Sequence, residues 1–271
     1  MKIAVTGKGG VGKTLVASGI AWSLARSGHT TIAIDADPSP NLALSLGILQ
    51  KEAEAIVPVS ENDSLIRIKT GTGFPGVYNL NFSVDDVVRD FSVATPAGVH
   101  LLVMGTVQSM GSGCTCPANS VIRTLLRHLV IERDEAVVLD MEAGIEHLGR
   151  GTAEGVDMMI VVSDANKKSL AVAVTIGRMA LDFGIPRVGL AGNRIGSDAE
   201  KNTIDRFAQE HRIPVLGFIP YDPDVFSAGI RGEPVTALQG TAACRSIEEI
   251  TTKITRIIGG KHPGPGRSVC R

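Results

Sequence analysis

The chain has 271 residues and a formal net charge of −1 at pH 7, with 44% hydrophobic and 20% charged residues. These values are typical of a globular protein that is long enough to bury a sizeable core. They argue against a bulk attraction to nucleic acid or anionic lipid, and the 4% of aromatic residues argues against platforms on which bases stack. We therefore expect no nucleic-acid partner.

The sequence also argues against a membrane partner. No apolar run reaches the roughly 20 residues that a helix needs to cross a bilayer. Residues Met1 to Thr6 lead directly into a glycine-rich loop and lack the basic and apolar regions of a secretory signal. We therefore expect a cytoplasmic protein.

Apolar strands alternate with stretches of helical periodicity along the chain. The first strand is predicted at Ile3 to Thr6, and the first helix at Thr14 to Ser27. The other strands are predicted at Thr31 to Asp35, His100 to Met104, Ala136 to Asp140, Met158 to Ser163, Arg187 to Ala191 and Val215 to Ile219. The other helices are predicted at Asn119 to Glu132, Lys167 to Phe183, Ala199 to His211 and Cys244 to Ile258. This alternation indicates an α/β fold, a doubly wound and mostly parallel sheet with helices on both faces.

The segment between the first strand and the first helix has the pattern of a phosphate-binding loop, G-x-x-x-x-G-K-[ST], in the required context. Backbone N–H groups of such a loop and of the helix N-terminus bind phosphate oxygens. Lys13 is predicted to reach the β- and γ-phosphates of ATP, and Thr14 to bind Mg²⁺. A plain glycine turn is the weaker alternative. The predicted nucleotide contacts in this loop are Gly9, Gly10, Val11, Gly12, Lys13, Thr14 and Leu15.

A second lysine, Lys8, follows the first strand. With it the loop resembles the deviant Walker A ATPases, the P-loop family that includes MinD, ParA and the nitrogenase iron protein. The resemblance implies ATP hydrolysis, and it implies that Lys8 reaches across a homodimer to the nucleotide of the partner. The alternative is a solvated loop lysine without a special role.

Two clusters of carboxylates match the same family. Asp35 and Asp37 stand at i and i+2 at a strand end, so both can approach Mg²⁺ and an attacking water. The resemblance assigns the positioning of that water to Asp37. The segment from Asp140 to Glu146 resembles the D-S-P-A-G-I-E of MinD, which makes Asp140 the Walker B carboxylate and gives the Gly144 N–H a γ-phosphate contact. The predicted catalytic residues are Lys8, Lys13, Asp37 and Asp140.

Two later segments are predicted to hold the nucleoside. Asn193 and Arg194 follow a predicted strand where relatives use asparagine to read adenine. Pro220, Tyr221 and Asp222 would close around the base and ribose. Each segment alone could be an ordinary strand-end turn, because these residue types are common there. Their order after successive strands favours the nucleotide site.

We interpret residues 1–258 as one P-loop ATPase domain. Within it, Gln50 to Ala97 is polar and weakly periodic, which predicts an insertion at about residues 50–97 that decorates the nucleotide face. Residues 259–271 combine glycine, proline and basic residues, which predicts a flexible tail.

Cys114 and Cys116 form a close pair among four cysteines, and in a reducing compartment such a pair indicates a metal or redox site. On an extended segment both sulfurs can face one ion. Two thiolates are an incomplete shell for an ion such as Zn²⁺, which prefers four ligands, and a twofold dimer would supply the other two. A redox dithiol and a buried pair without metal remain alternatives.

The segments from Gly113 to Leu129 and from Asp140 to Arg150 resemble the CooC family, the nickel-insertion ATPases that mature carbon monoxide dehydrogenase. The resemblance implies a Ni²⁺ (or Zn²⁺) site that Cys114 and Cys116 share across a homodimer, and carbon monoxide dehydrogenase as the client metalloenzyme. A maturation ATPase for acetyl-CoA synthase is the sister alternative.

Two other classes of ATPase stay open. An iron–sulfur ATPase of the nitrogenase iron protein type is disfavoured, because Gly144 to Gly155 contains no cysteine. A positioning ATPase of the MinD type could bind a membrane through its last helix. The isoleucine stripe of that helix is predicted instead to pack on the sheet, because its polar face mixes acidic and basic residues.

Overall fold

The computed structural model of the chain describes residues 1–37, 41–72, 79, 85–105, 121, 124–129, 135–142, 153 and 155–260. Eight strands form a single sheet in the order β3-β4-β2-β5-β1-β6-β7-β8. Their bounds are β1 Lys2–Gly7, β2 Thr31–Ala36, β3 Val93–Ala94, β4 His100–Val103, β5 Ala136–Met141, β6 Met158–Ser163, β7 Val188–Ile195 and β8 Val215–Pro220. All neighbouring strands are parallel except β3, which pairs antiparallel with β4 at the edge.

Helices connect the strands and cover both faces of the sheet. They are α1 Lys13–Arg26, α2 Leu42–Ser45, α3 Gln50–Glu54, α4 Asp63–Thr70, α5 Asp85–Phe91, α6 Lys167–Asp182, α7 Asp198–His211, α8 Pro223–Arg231 and α9 Ala242–Gly259. Every residue of β1, β2, β5 and β6 is buried, as expected for parallel strands that are covered on both faces. The predicted fold class is confirmed.

Each face of the sheet carries its own hydrophobic core. One core includes α6 and α7, and the other includes α1 and α9. Helices α1 and α9 touch where Gly19 faces Ile247, and a Cβ atom on Gly19 would lie 2.8 Å from the Ile247 side chain. Ile250 and Ile254 are also buried, so this part of the isoleucine stripe packs inside the protein as predicted. Among the helices that the structure describes, none is long and apolar enough to cross a membrane.

The segment predicted as an insertion is more closely integrated than its sequence suggests. It contributes the edge strand β3 and the helices α3 to α5. Leu65, Val87 and Val88 are buried in the core of the α6 face. These apolar positions are too few to produce a clear period in the sequence, and they become significant only through contact with distant residues.

Two further predictions concern element bounds. Strand β7 runs to Ile195 and not only to Ala191, so Asn193 and Arg194 lie inside the strand and not after it. The pairing of β7 with β8 shifts register between Gly192 and Ile195, and Arg194 has a φ of 57° there, which sequence periodicity does not reveal. The predicted helix from Asn119 to Glu132 lies partly outside the described residues.

Candidate nucleotide-binding site

The glycine-rich loop joins the carboxyl end of β1 to the amino end of α1. Gly12, the residue before the helix, has a φ of 92°, in the left-handed region that favours glycine. A Cβ atom at this position would also overlap the side-chain nitrogen of Asn193. No described side chain caps α1, so the N–H groups of its first turn are available to an anion.

Two lysines belong to this loop and to the start of the helix that follows it. Lys13 begins α1 and is 8% exposed, whereas Lys8 is half-buried. A lysine in the first helical turn adds a full positive charge to the partial charge of the helix N-terminus. The loop and helix end therefore form a concentrated anion site.

Two buried strands bring carboxylates to the edge beside this loop. Asp140 of β5 is in register with Asp35 of β2 and with Val5 of β1. Asp35 is fully buried, and its carboxylate accepts hydrogen bonds from the backbone N–H groups of Asp37 (3.2 Å) and Leu42 (2.9 Å). Asp35 is thus engaged in holding the turn, and Asp37 is the member of the pair that remains partly exposed.

Asp140 is 1% exposed, and neither of its carboxylate oxygens has a hydrogen-bond partner of good geometry among the described residues. Burial raises its pKa to about 7, and the negative charges of Asp35 and Asp37 add to this, while the nearby Thr14 hydroxyl and Lys13 oppose it. Burial likewise raises the pKa of Asp35 to about 6. Carboxylate and hydroxyl oxygens suit Mg²⁺, so the orphaned oxygens of Asp140 and the hydroxyl of Thr14 fit the ion that accompanies a nucleoside triphosphate.

The raised pKa of Asp140 predicts an effect on stability. The folded chain holds a proton that the unfolded chain releases above pH 3.8, so the stability contribution of Asp140 falls as pH rises toward about 7. Asp140→Asn should therefore raise the free energy of unfolding by on the order of 2 kcal/mol at pH 8 and by less at pH 6. Thermal unfolding without nucleotide and with chelator measures this. Asp182→Asn, at an exposed position, should change little, and equal effects of both variants at both pH values would contradict the assignment.

A cavity of about 420 Å³ opens beside the glycine-rich loop. Its walls bring together the predicted residues Gly12, Leu15, Asn193, Arg194, Pro220, Tyr221 and Asp222. Asp222 caps α8 through the Asp224 N–H (3.0 Å) and also accepts from the Ala243 N–H (3.2 Å). Asp222 therefore fixes the start of α8 against α9 at the mouth of the cavity.

Asn193 links this cavity to the phosphate loop. It is 2% exposed, its side-chain amide donates to the Val11 carbonyl (2.7 Å), and its side-chain oxygen accepts from the Arg194 N–H (2.9 Å). The sequence prediction gave this side chain to the base alone, whereas in the structure it holds the loop. An amide carries two donors and two acceptor sites, so one of each is left for a ligand.

Sequence reasoning missed part of the cavity wall. Phe226 and Ile230 of α8 line it and are 60% and 74% exposed. Their i, i+4 spacing directly after Tyr221 and Asp222 is the signal that could have indicated them. Gly144, Cys114, Cys116 and Cys270 lie outside the described residues. Cys244 is buried at the start of α9, where burial raises the pKa of its thiol.

Residues 2–235 match the family described as the CobQ/CobB/MinD/ParA nucleotide binding domain. The chain is 42% identical over 250 residues to the carbon monoxide dehydrogenase accessory protein CooC of Rhodospirillum rubrum, covering 90% of this chain and 92% of that protein. The chain belongs to the CooC-like ATPases of the MinD/ParA family. The predicted family and the predicted ATPase activity of this CooC-like protein are confirmed.

Two further comparisons agree with this assignment. The CooC-like ATPase is 41% identical over 260 residues to an ATP-binding protein of Methanocaldococcus jannaschii, covering 95% of this chain and 98% of that protein. Its fold matches a chain of the MinC:MinD cell division protein complex of Aquifex aeolicus with a TM-score of 0.68 and 20% identity, over 98% of this chain and 99% of that one. The second similarity shows the fold alone.

Proposed function

We propose that this CooC-like ATPase delivers nickel to carbon monoxide dehydrogenase and uses ATP binding and hydrolysis to close and reopen a homodimer. The similarity to the R. rubrum accessory protein over 90% of the chain carries the proposal. The cysteine pair in the segment after β4 supports it, because thiolates are suitable ligands for a soft divalent ion. Nickel is here the cargo, and ATP is the substrate that is consumed.

The geometry suggests a role for each residue at the phosphate end. The loop N–H groups and Lys13 would bind the triphosphate, and Thr14 and Asp140 would hold Mg²⁺, which would neutralise phosphate charge. Asp37 orients the attacking water, since Asp35 is occupied by two backbone N–H groups. We assign the Gly144 N–H to the γ-phosphate from the sequence pattern alone.

At the nucleoside end, we assign the covering of the base to Tyr221 and Phe226, which are exposed and line the cavity. Asn193 uses its remaining donor and acceptor to read adenine while its first N–H keeps the Val11 carbonyl in place. Base recognition and loop geometry are thereby coupled through one side chain.

We assign dimer closure to Lys8. Lys8→Ala should reduce the fraction of dimer formed with a non-hydrolysable ATP analogue by about tenfold, because the variant lacks a cation that would contact the nucleotide of the partner. ATP binding by the monomer should change little, since Lys13 remains. Light scattering with the analogue and with ADP measures the dimer fraction. Lys51→Ala, at an exposed position elsewhere, is the control, and an unchanged dimer fraction in Lys8→Ala would make Lys8 an ordinary loop residue.

Nickel delivery itself is tested by reconstitution. Nickel-free carbon monoxide dehydrogenase would be incubated anaerobically with nickel-loaded protein and ATP, and its activity followed with time. We expect activation to require both ATP and the loaded protein. Activation of nickel-free acetyl-CoA synthase in place of carbon monoxide dehydrogenase would move the client to the sister enzyme, and activation of neither would reject nickel delivery while leaving the ATPase assignment intact.

A further inference from the structure

A second cavity lies at the opposite edge of the sheet from the nucleotide site. It has a volume of about 390 Å³ and is bordered by the amino ends of β6, β7 and β8, with α6, the end of α7 and α9 around it. We call it the far-edge pocket. Its apolar wall includes Val174, Leu181, Ile213, Val215 and Ile257. Leu181 is 57% exposed and Ile257 is 36% exposed, so part of this wall still faces solvent.

Basic side chains surround this apolar wall. Arg178, Arg187, Arg212 and Lys253 line the pocket together with His211, and no carboxylate is among its described lining residues. A cleft that is lined by one sign of charge concentrates the field and attracts ions of opposite sign. The described lining of the pocket therefore carries four formal positive charges and no negative one, although the whole chain has a net charge of −1.

These four cations also lack ion-pair partners within the part of the chain that the structure describes. The Arg187 guanidinium donates to the Asp157 carbonyl (3.3 Å) and the Lys253 ammonium to the Val215 carbonyl (2.9 Å). Those contacts hold the two side chains in place but leave their charges uncompensated. Among the described residues, some other surface cations have carboxylate partners, as in the pairs Arg26–Glu248, Arg231–Glu233, Arg89–Asp90 and Lys201–Asp198.

We propose that the far-edge pocket binds a short acidic segment of a partner protein that also carries a bulky apolar side chain. Arginine pairs with carboxylates in a bidentate geometry, and three of the four cations are arginines. The apolar side chain would cover Leu181 and Ile257, which gains free energy in proportion to the area removed from water. The acidic residues of the segment match the cations of the pocket, and its apolar side chain matches the apolar wall.

Other occupants match less well. The last eleven residues of the chain follow α9, but they contain Lys261, Arg267 and Arg271 and no acidic residue, so the pocket repels them. A second copy that docks through the same pocket would bring like charges together. A nucleic acid would satisfy the cations, yet it would leave the apolar wall without a partner, and no Phe, Tyr or Trp lines the described pocket for base stacking.

The test uses the full-length protein and a short fluorescein-labelled peptide with equal numbers of glutamate and leucine residues. Fluorescence anisotropy measures its binding, and two control peptides replace either all glutamates by glutamine or all leucines by alanine. Arg178→Glu combined with Arg212→Glu reverses two exposed charges of the pocket. Lys51→Glu combined with Arg67→Glu reverses two exposed charges away from it and is the matched control.

We expect the parent peptide to bind, both control peptides to bind at least about tenfold more weakly, and the pocket variant to lose at least about tenfold in affinity for the parent peptide. The matched control variant should bind as the wild type does, and ATP hydrolysis should be the same in all three proteins. Absence of peptide binding, or equal losses in both variants, would overturn the proposal. Binding of single-stranded DNA or of phosphatidylserine vesicles with this charge dependence, without peptide binding, would also overturn it. None of these outcomes bears on the proposal of nickel delivery.

Discussion

Replacing Asp37 by alanine should leave ATP binding intact and should slow hydrolysis by about 100-fold or more, which is the usual contribution of a group that positions or activates water. Asp37 stands at the carboxyl end of β2, beside the buried pair Asp35 and Asp140. Asp35 cannot take over its role without releasing the N–H groups of Asp37 and Leu42, to which both of its oxygens are bonded. The loss should therefore appear in the rate of the chemical step and not in nucleotide affinity.

Lys13→Ala provides the contrasting variant for the same experiment. Lys13 is 8% exposed at the start of α1 and adds a full positive charge to the anion site. Its removal should abolish ATP binding. A fluorescent ATP analogue measures affinity and phosphate release measures turnover, with the exposed Asp182→Ala as the control. Wild-type hydrolysis in Asp37→Ala, or unchanged ATP affinity in Lys13→Ala, would reject the corresponding role.

The second large effect concerns the metal. Each chain offers one close pair of cysteines, Cys114 and Cys116, so a four-thiolate site needs two chains. We expect one Ni²⁺ (or Zn²⁺) per two chains, and loss of tight binding in Cys114→Ser and in Cys116→Ser. The metal should also promote dimerisation, because an ion that binds the dimer better than the monomer shifts the equilibrium toward the dimer.

The other two cysteines supply matched controls. Cys244 is buried at the start of α9, and burial raises the pKa of its thiol, which disfavours the thiolate that binds metal. Cys244→Ser and Cys270→Ser should therefore keep tight binding. Anaerobic equilibrium dialysis with metal analysis gives the stoichiometry, and light scattering gives the dimer fraction. Affinity should fall as pH falls, since protons compete for thiolates. One ion per monomer, bound without dependence on Cys114 or Cys116, would exclude the shared site.

The alternation of apolar strands and helices determined the fold class, because strands covered on both faces are apolar throughout and show this directly in sequence. The phosphate loop could also be predicted from the sequence alone. Its function depends on neighbouring residues with fixed spacing, Gly7 to Thr14, whose context of strand and helix is local. The order of the family's motifs after successive strands then indicated Asp140, Asn193 and the segment from Pro220 to Asp222. The structure brings all of these except Asp140 to the wall of one cavity. Asp140 lies with Asp35 on the neighbouring strands β5 and β2, at the edge of the sheet beside the phosphate loop.

Contacts between residues far apart in the chain were decided only by the tertiary structure. The bond from Asn193 to the Val11 carbonyl spans 182 residues and exists because β7 places that side chain beside the loop. Burial between β1 and β2 raises the pKa of Asp140 and leaves its oxygens without a well-formed hydrogen bond from any residue that the structure describes. The cations of the far-edge pocket come from four separate segments, namely α6, the residue before β7, the residue after α7, and α9. No periodicity in any one of them indicates their convergence. Local spacing encodes a loop or a strand, whereas the electrostatics of a cleft depends on which distant segments the fold brings together.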